Sequence, residues 1–320
     1  MSLVQFNVRI LVTGGLGFIG SNFVRYLVKR FNSGINEIVI LDNLSYAGNL
    51  KNLSDIETSY NFIKGDIRDL DLIMKITKNI DLVINFAAES HVDRSIYDPK
   101  AFFSTNIIGA SNIFEACLRN DVKRVVQVST DEVYGSIEIG SADENSNLNP
   151  SSPYSASKAS ADLIALAYKI THNLNVCITR SSNNFGPNQY PEKIIPLFIR
   201  KLLNNEKVPV YGSGKNIRNW IFVEDNCQAI LKVALEGRTG EIYNVGSKIE
   251  MTNNELVNFI LNYLELDFSY INYVEDRPGH DLRYSIDSSK IFNELKFHAE
   301  TKFEDGLKKT IEWYRNNPNW

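Results

Sequence analysis

Cysteine is scarce in this sequence, and its placement matters more than its number. Cys117, Cys177 and Cys227 stand far apart and without CxxC spacing. An odd set of scattered thiols suggests no disulfide framework, so a reducing, cytoplasmic compartment is expected. Histidine is equally sparse: His91, His172, His280 and His298 share no ligand spacing, so no metal site is expected. No apolar run approaches the roughly 20 residues that a bilayer crossing requires. The net charge is −4 and no basic block is present, which argues against nucleic acid or anionic membrane as a partner. Low-complexity linkers and internal repeats are missing too. What is present is a chain of 320 residues, 43% hydrophobic and 22% charged, long enough to bury a large core and suited to small-molecule partners. Val8 to Val12 runs into a glycine loop and lacks a small-residue cleavage site, so it reads as a first strand and not as a signal peptide. Met1 to Leu3 reads as a cloning addition.

The first half alternates β-branched runs with longer amphipathic stretches, the pattern of βαβ units on a parallel sheet. Strands are predicted at Arg9 to Thr13, Glu37 to Asp42, Asn61 to Lys64, Leu82 to Phe86, Arg124 to Ser129 and Val176 to Arg180. Between them lie predicted helices at Ile19 to Phe31, Leu70 to Lys78, about Lys100 to Arg119, and Ala156 to Thr171. The fold class is therefore α/β, a doubly wound parallel sheet of the Rossmann type. After Phe185 the pattern breaks into shorter pieces punctuated by Gly186-Pro187, Gly212-Ser213-Gly214 and Arg277-Pro278-Gly279. A smaller mixed lobe is expected there, with helices at Ile194 to Leu203, Asn226 to Leu235, Asn254 to Leu264 and Phe303 to Arg315.

Thr13-Gly14-Gly15-Leu16-Gly17-Phe18-Ile19-Gly20 follows the first strand and opens the first helix. Glycines at this spacing let the backbone turn sharply and approach a pyrophosphate, which the helix N-terminus holds with free N–H groups. About 22 residues past Gly20, the second strand ends at Asp42. A carboxylate there can accept from both adenosine ribose hydroxyls and would repel a 2′-phosphate, so the cofactor expected is NAD and not NADP. Asp66, after the third strand, suits either the adenine amino group or a solvated turn.

Tyr154-Ser155-Ala156-Ser157-Lys158 opens a helix and puts Tyr154 and Lys158 on one face. The lysine ammonium and the nicotinamide charge are expected to lower the phenol pKa and make Tyr154 a base near neutral pH.

These segments, in this strand order, resemble the extended short-chain dehydrogenase/reductase family over nearly the whole chain. Ser129-Thr130-Asp131-Glu132-Val133-Tyr134-Gly135 narrows the likeness to its dTDP-glucose 4,6-dehydratases, since sugar epimerases of the superfamily usually lack the acidic pair. The resemblance implies oxidation at C4 of the hexose, loss of water across C5 and C6, and reduction at C6. Tyr154 would take the C4 hydroxyl proton, Glu132 the C5 proton, Asp131 would protonate the C6 oxygen, and Thr130 would bond the C4 oxygen. Lys158 completes the catalytic set.

By the same resemblance the NAD site comprises Gly14, Gly17, Phe18, Ile19, Gly20, Asp42, Asn43, Asp66, Ile67, Phe86, Ala87, Ala88, Ser90, Thr105, Tyr154, Lys158 and Asn184. The substrate side comprises Ser90, His91, Thr130, Asn183, Lys193, Ile194, Pro209, Tyr211, Arg218, Asn253, Arg277 and His280. For His91 a satisfied structural histidine is an alternative reading. Arg218 suits a diphosphate because its planar fork makes two charge-assisted bonds. Residues 1–185 are expected to form the NAD-binding half with the catalytic groups, and 186–320 mainly the nucleotide-sugar lobe. A homodimer is implied through the helices near Lys100 to Arg119 and Ala156 to Thr171. Tyr190 in place of the family's usual Phe, and the acidic loop from Ser136 to Ser151, depart from the pattern and leave the choice between thymidine and uridine open. Other readings are a UDP-glucose 4,6-dehydratase, an epimerase, a UDP-glucuronate decarboxylase, or a non-catalytic NAD-sensing protein, which would be expected to have lost Tyr154, Lys158 or Asp131.

Overall fold

A computed structural model describes residues 8–30, 35–318 and 320. The expected end of the first helix at Phe31 and the segment Met1 to Leu3 lie outside the described residues. Seven parallel strands make the main sheet: β1 (Val8–Thr13), β2 (Ile35–Asp42), β3 (Asn61–Lys64), β4 (Leu82–Asn85), β5 (Arg124–Thr130), β6 (Val176–Ser181), and a seventh, Ile242–Val245, from the second half of the chain. Their order is β3-β2-β1-β4-β5-β6 and then the seventh strand. The order reverses between β1 and β4, where neighbouring loops part and leave a crevice at the carboxyl ends. The doubly wound α/β class expected from the sequence is the one observed.

Helix α1 (Phe18–Arg30) packs on one face of the sheet over Ile10, Val12, Ile38 and Ile40. Helices α2 (Leu70–Ile76), α5 (Ala110–Arg119) and α6 (Pro153–His172) cover the other face over Leu11, Val83, Val125 and Ile178. The short helices α3 (Val92–Tyr97) and α4 (Pro99–Phe102) lie between α2 and α5. The predicted single helix from Lys100 is α4 continued through a π-helical stretch, Phe103–Gly109, into α5. Helix α6 starts three residues before the predicted Ala156. Ser152 caps it by accepting from the Ser155 backbone N–H at 3.1 Å, and Pro153 takes the first position, where no N–H is needed.

The smaller lobe is built on β7 (Asn183–Phe185), β8 (Val208–Tyr211) and β9 (Ile217–Phe222), with the helices α7 (Ile194–Leu203) and α8 (Val223–Glu236). The seventh strand of the main sheet, Ile242–Val245, is β10. It is followed by β11 (Glu250–Thr252), α9 (Asn253–Tyr263), β12 (Ile271–Val274), α10 (Ser289–Leu295) and α11 (Phe303–Asn316). Strands β11, β9 and β7 form one sheet and β12 and β8 another. The chain does not stay in this lobe after residue 185: α8 and β10 return to the main sheet, and residues of both join the core that holds α1. β10 is only four residues long and carries the buried Asn244, which hides its strand pattern in the sequence. Among the described residues, no helix is long and apolar enough to cross a membrane.

Candidate active site

The glycine loop lies at the reversal of strand order. Gly14 has φ +68°, and a Cβ there would come within 2.7 Å of the Ala87 backbone nitrogen. A Cβ on Gly20 would strike the Gly14 carbonyl. Only glycine lets α1 start this close to β1 and β4, and the first turn of α1 carries no acidic residue. Gly17 faces the crevice with only its own loop nearby. A backbone cradle at a helix N-terminus fits the pyrophosphate of a dinucleotide.

At the end of β2 the buried Asp42 accepts from Leu16 N at 3.0 Å through one oxygen and from Leu44 N at 2.8 Å through the other. Burial raises its pKa, and the two backbone bonds pull it back. Each oxygen keeps a lone pair for a further donor. Asp66 is gripped by Arg68 at 2.9 and 2.7 Å and by Asn43 at 3.2 Å, and its carboxyl is held down at about 2, chiefly by the Arg68 fork. Asp42, Asn43, Asp66, Ile67, Phe86, Ala87, Ala88, Ser90 and Thr105 all line the crevice together with the glycine loop.

The catalytic candidates meet at the other end of the same crevice. β5 delivers Thr130, which caps a short 3₁₀ turn, Asp131–Tyr134, by accepting from Glu132 N at 3.3 Å. The Asp131 carboxyl is 2% exposed; one oxygen meets the Thr130 hydroxyl at 3.3 Å and the other is buried without a partner. Burial first, and the Glu132 charge second, push it up to about 8. Glu132 is also raised by burial, but Lys193, Arg277 and Arg218 oppose the shift. Burial raises both adjacent carboxyls, opposed at Glu132 by three cations and at Asp131 by Arg218.

Helix α6 brings Tyr154 and Lys158 to the crevice. Lys158 donates to the Val128 carbonyl at 2.7 Å, and burial lowers its pKa to about 8 against the pull of Asp162. The expected lowering of the Tyr154 pKa is not produced by the chain alone. Burial and the Glu132 charge raise it well above the ordinary value, a hydrogen bond with Thr130 opposes them, and Lys158 is turned to the sheet.

On the substrate side, Ser90, Thr130, Asn183, Asn184 and Lys193 line the crevice. Asn183 and Asn184 each leave a buried side-chain oxygen unpartnered, acceptors suited to a ligand's donors. Lys193 is tied to the Ser90 carbonyl at 2.6 Å. His91 caps α3, accepting from Arg94 N at 3.3 Å, and burial lowers it to about 4. Ile194 opens α7 and is not among the crevice-lining residues.

The smaller-lobe candidates lie beyond that lining. Pro209 and Tyr211 are on β8, Tyr211 packs edge-on against His280 at 6.1 Å, and Arg277 donates to Asp93 at 2.7 Å with its Nε buried and unpaired. Arg218 sits over the Tyr284 ring at 4.3 Å and donates to the Ile217 and Asp281 carbonyls at 2.7 and 3.0 Å. Its charge and that of Arg277 still reach Glu132. Asn253 begins α9, with its N–H on the Asn216 carbonyl at 3.1 Å.

Sequence reasoning missed Asn106, which lies in the π-helical stretch and is buried. It accepts from Glu89 N at 2.8 Å and donates to the Glu89 carbonyl and Ser157 Oγ, each at 2.9 Å, so it clamps the segment after β4 to α6. A π-turn signals such a site in three dimensions, but an Asn within an amphipathic run carries no mark. Tyr46 was missed as well: Arg94 stacks on its ring at 3.7 Å and Tyr190 meets it edge-on at 5.4 Å, beside Glu192.

The family described as GDP-mannose 4,6 dehydratase matches residues 11–310. A dTDP-glucose 4,6-dehydratase of Streptomyces niveus is 48% identical over 98% of this chain and 94% of its own. Among solved structures, DesIV from Streptomyces venezuelae, a dTDP-glucose 4,6-dehydratase with NAD bound, superposes with TM-score 0.96 at 48% identity, covering 98% of both chains. The dTDP-glucose 4,6-dehydratase of Bacillus anthracis, in complex with NAD, follows with TM-score 0.91 at 44% identity and 98% coverage of both. On this agreement of sequence and fold, the chain belongs to the GDP-mannose 4,6 dehydratase family.

Proposed function

We propose that this chain is an NAD-dependent hydro-lyase that converts dTDP-glucose to dTDP-4-keto-6-deoxyglucose, supplying deoxysugar synthesis of the rhamnose type. The observation that carries the reading is the buried acid Asp131 beside Glu132, at a strand end that faces Tyr154 across one crevice. When bound, NAD would supply the two-electron chemistry, hydride acceptance at C4 and hydride donation at C6. Gly14, Gly17 and Gly20 would make room for its pyrophosphate, Asp42 would hold the adenosine ribose, and Lys158 and Tyr154 would stand toward the reacting end.

Tyr154 takes the C4 hydroxyl proton, and Thr130 bonds the resulting carbonyl oxygen. The ketone acidifies C5, and Glu132, its charge favoured by Lys193, Arg277 and Arg218, removes that proton. Asp131 gives its proton to the C6 oxygen as the C5–C6 double bond forms, so the hydroxyl leaves as water. Glu132 gives a proton exchanged with solvent back to C5 as C6 gains its hydride, so C4 is oxidised, C6 is reduced and the cofactor would be unchanged over a turnover. Lys193, Arg218 and Arg277 supply three cations for the diphosphate.

The chain acts as a homodimer through α4, α5 and α6. Phe103 and Ile108, on the π-helical stretch between α4 and α5, and Leu163 and Ile170, on α6, project apolar surface at 42, 56, 57 and 79% exposure, which favours a second copy as cover. Its place is the cytoplasm, in keeping with three buried, unpaired thiols. Incubation with dTDP-glucose in heavy water should yield a product that has lost one water and carries deuterium at C5, with UDP-glucose as the competing substrate. A product of unchanged mass, inverted at C4, would show an epimerase instead.

A further inference from the structure

Arg180 has no part in the chemistry above, yet it heads the fully buried side chains in volume, at 2% exposure. It stands in β6 after the apolar run Val176, Cys177 and Ile178. A buried ion pair is weak evidence for stability, because desolvation offsets the attraction and apolar substitutes often do as well. Its contacts account for it better. Nε donates to Asp162 at 2.9 Å, and one terminal nitrogen donates to the Tyr134 hydroxyl at 2.9 Å. That hydroxyl donates onward to Asn244 on β10 at 2.8 Å, and Asn244 in turn donates to the Ala142 and Asp287 carbonyls at 3.0 and 3.2 Å. Asp162 and Asn244 are 0% exposed and Tyr134 2%.

The two anchors belong to different catalytic elements. Tyr134 closes the turn that carries Asp131 and Glu132, and Asp162 lies one helical turn beyond Lys158 on α6. Neither lines the crevice. We propose that Arg180 is a positioning residue, a spacer that sets the Asp131–Glu132 turn against the Tyr154–Lys158 helix by holding Tyr134 with one side of its fork and Asp162 with the other. Which chemical step each contact governs rests on the dehydratase reading. Tyr154 works at C4 while Glu132 and Asp131 work at C5 and C6 of the same sugar, so a fixed spacing lets both act without the substrate moving. A misplacement of about 1 Å costs on the order of 10²-fold.

Tyr134→Phe keeps the ring and removes only the hydroxyl that joins Arg180 to Asn244. In this variant elimination, read as deuterium uptake at C5, should slow by roughly 10- to 100-fold, while C4 oxidation in a single turnover and the KM for dTDP-glucose stay at wild-type values. Asp162→Asn, nearly isosteric, should slow the oxidation step itself. If it fails to fold, Tyr134→Phe carries the test alone. Equal slowing of oxidation and elimination in Tyr134→Phe, or slowing of neither, would overturn the assignment. Amide hydrogen exchange separates this failure from a failure of the functional reading, because it needs no substrate. Residues 131–135 should exchange faster in Tyr134→Phe, with α6 as protected as in wild type, even if dTDP-glucose proves not to be turned over. Unchanged exchange in the turn would overturn the spacer.

Discussion

Replacing Asp131 by Asn should make the protein more stable at mildly alkaline pH and nearly inactive. The Asp131 carboxyl is raised from 3.8 to about 8 by burial and by Glu132. In the unfolded chain it ionises near its ordinary value, whereas the fold keeps it protonated. A carboxyl raised in the folded state contributes its full stability below the unfolded value, and that contribution is lost as pH rises toward the folded one. Each unit is worth about 1.36 kcal/mol, so between pH 5 and pH 8 the group removes on the order of 4 kcal/mol. Asn cannot ionise and escapes this loss. The stability difference between variant and wild type should therefore widen by up to about 4 kcal/mol from pH 5 to pH 8, which is several degrees in Tm at roughly 2 °C per kcal/mol for a chain of this size. Calorimetric melting of both proteins across that range measures it directly. Turnover of dTDP-glucose should fall about 10²- to 10⁴-fold, the worth of a positioned acid. A melting difference that stays flat with pH would refute the reasoning, because Asp131 would then already be ionised in the fold and could not serve as the acid.

Glu132→Gln should oxidise C4 but stall before loss of water, so recovered sugar from a heavy-water incubation should contain no deuterium at C5; wild-type uptake would exclude Glu132 as the base. Tyr154→Phe should lose C4 oxidation by at least about 10²-fold while still retaining NAD, and near-normal turnover would remove Tyr154 from the mechanism. Protein stripped of nucleotide should regain activity with NAD and not with NADP, and Asp42→Ala should narrow that difference, since the anion that repels a 2′-phosphate is gone. Reactivation by NADP in the wild type would sink the role given to Asp42.

Several parts of the site could be read in the linear order because their physics is local. A glycine loop between a β-branched run and an amphipathic helix predicts where a backbone can approach a pyrophosphate, and Gly14 is held there at φ +68°. Tyr154 and Lys158 share a helix face by their spacing alone, and Thr130 ends, and Asp131 and Glu132 follow, a strand that its β-branched run makes visible. Other parts were decided only by the tertiary structure. β10 is too short and too polar to show itself, and it becomes the seventh strand only because β6 offers an edge with backbone groups to pair. The clamp made by Asn106 and the spacer made by Arg180 depend on partners 51 and 46 positions away, where no periodicity reaches. The protonation of Asp131 and Tyr154 depends on how much water the fold excludes around them and on which charges it gathers there. Sequence determines which groups can ionise; burial and the surrounding field, which exist only in the folded chain, determine which of them do.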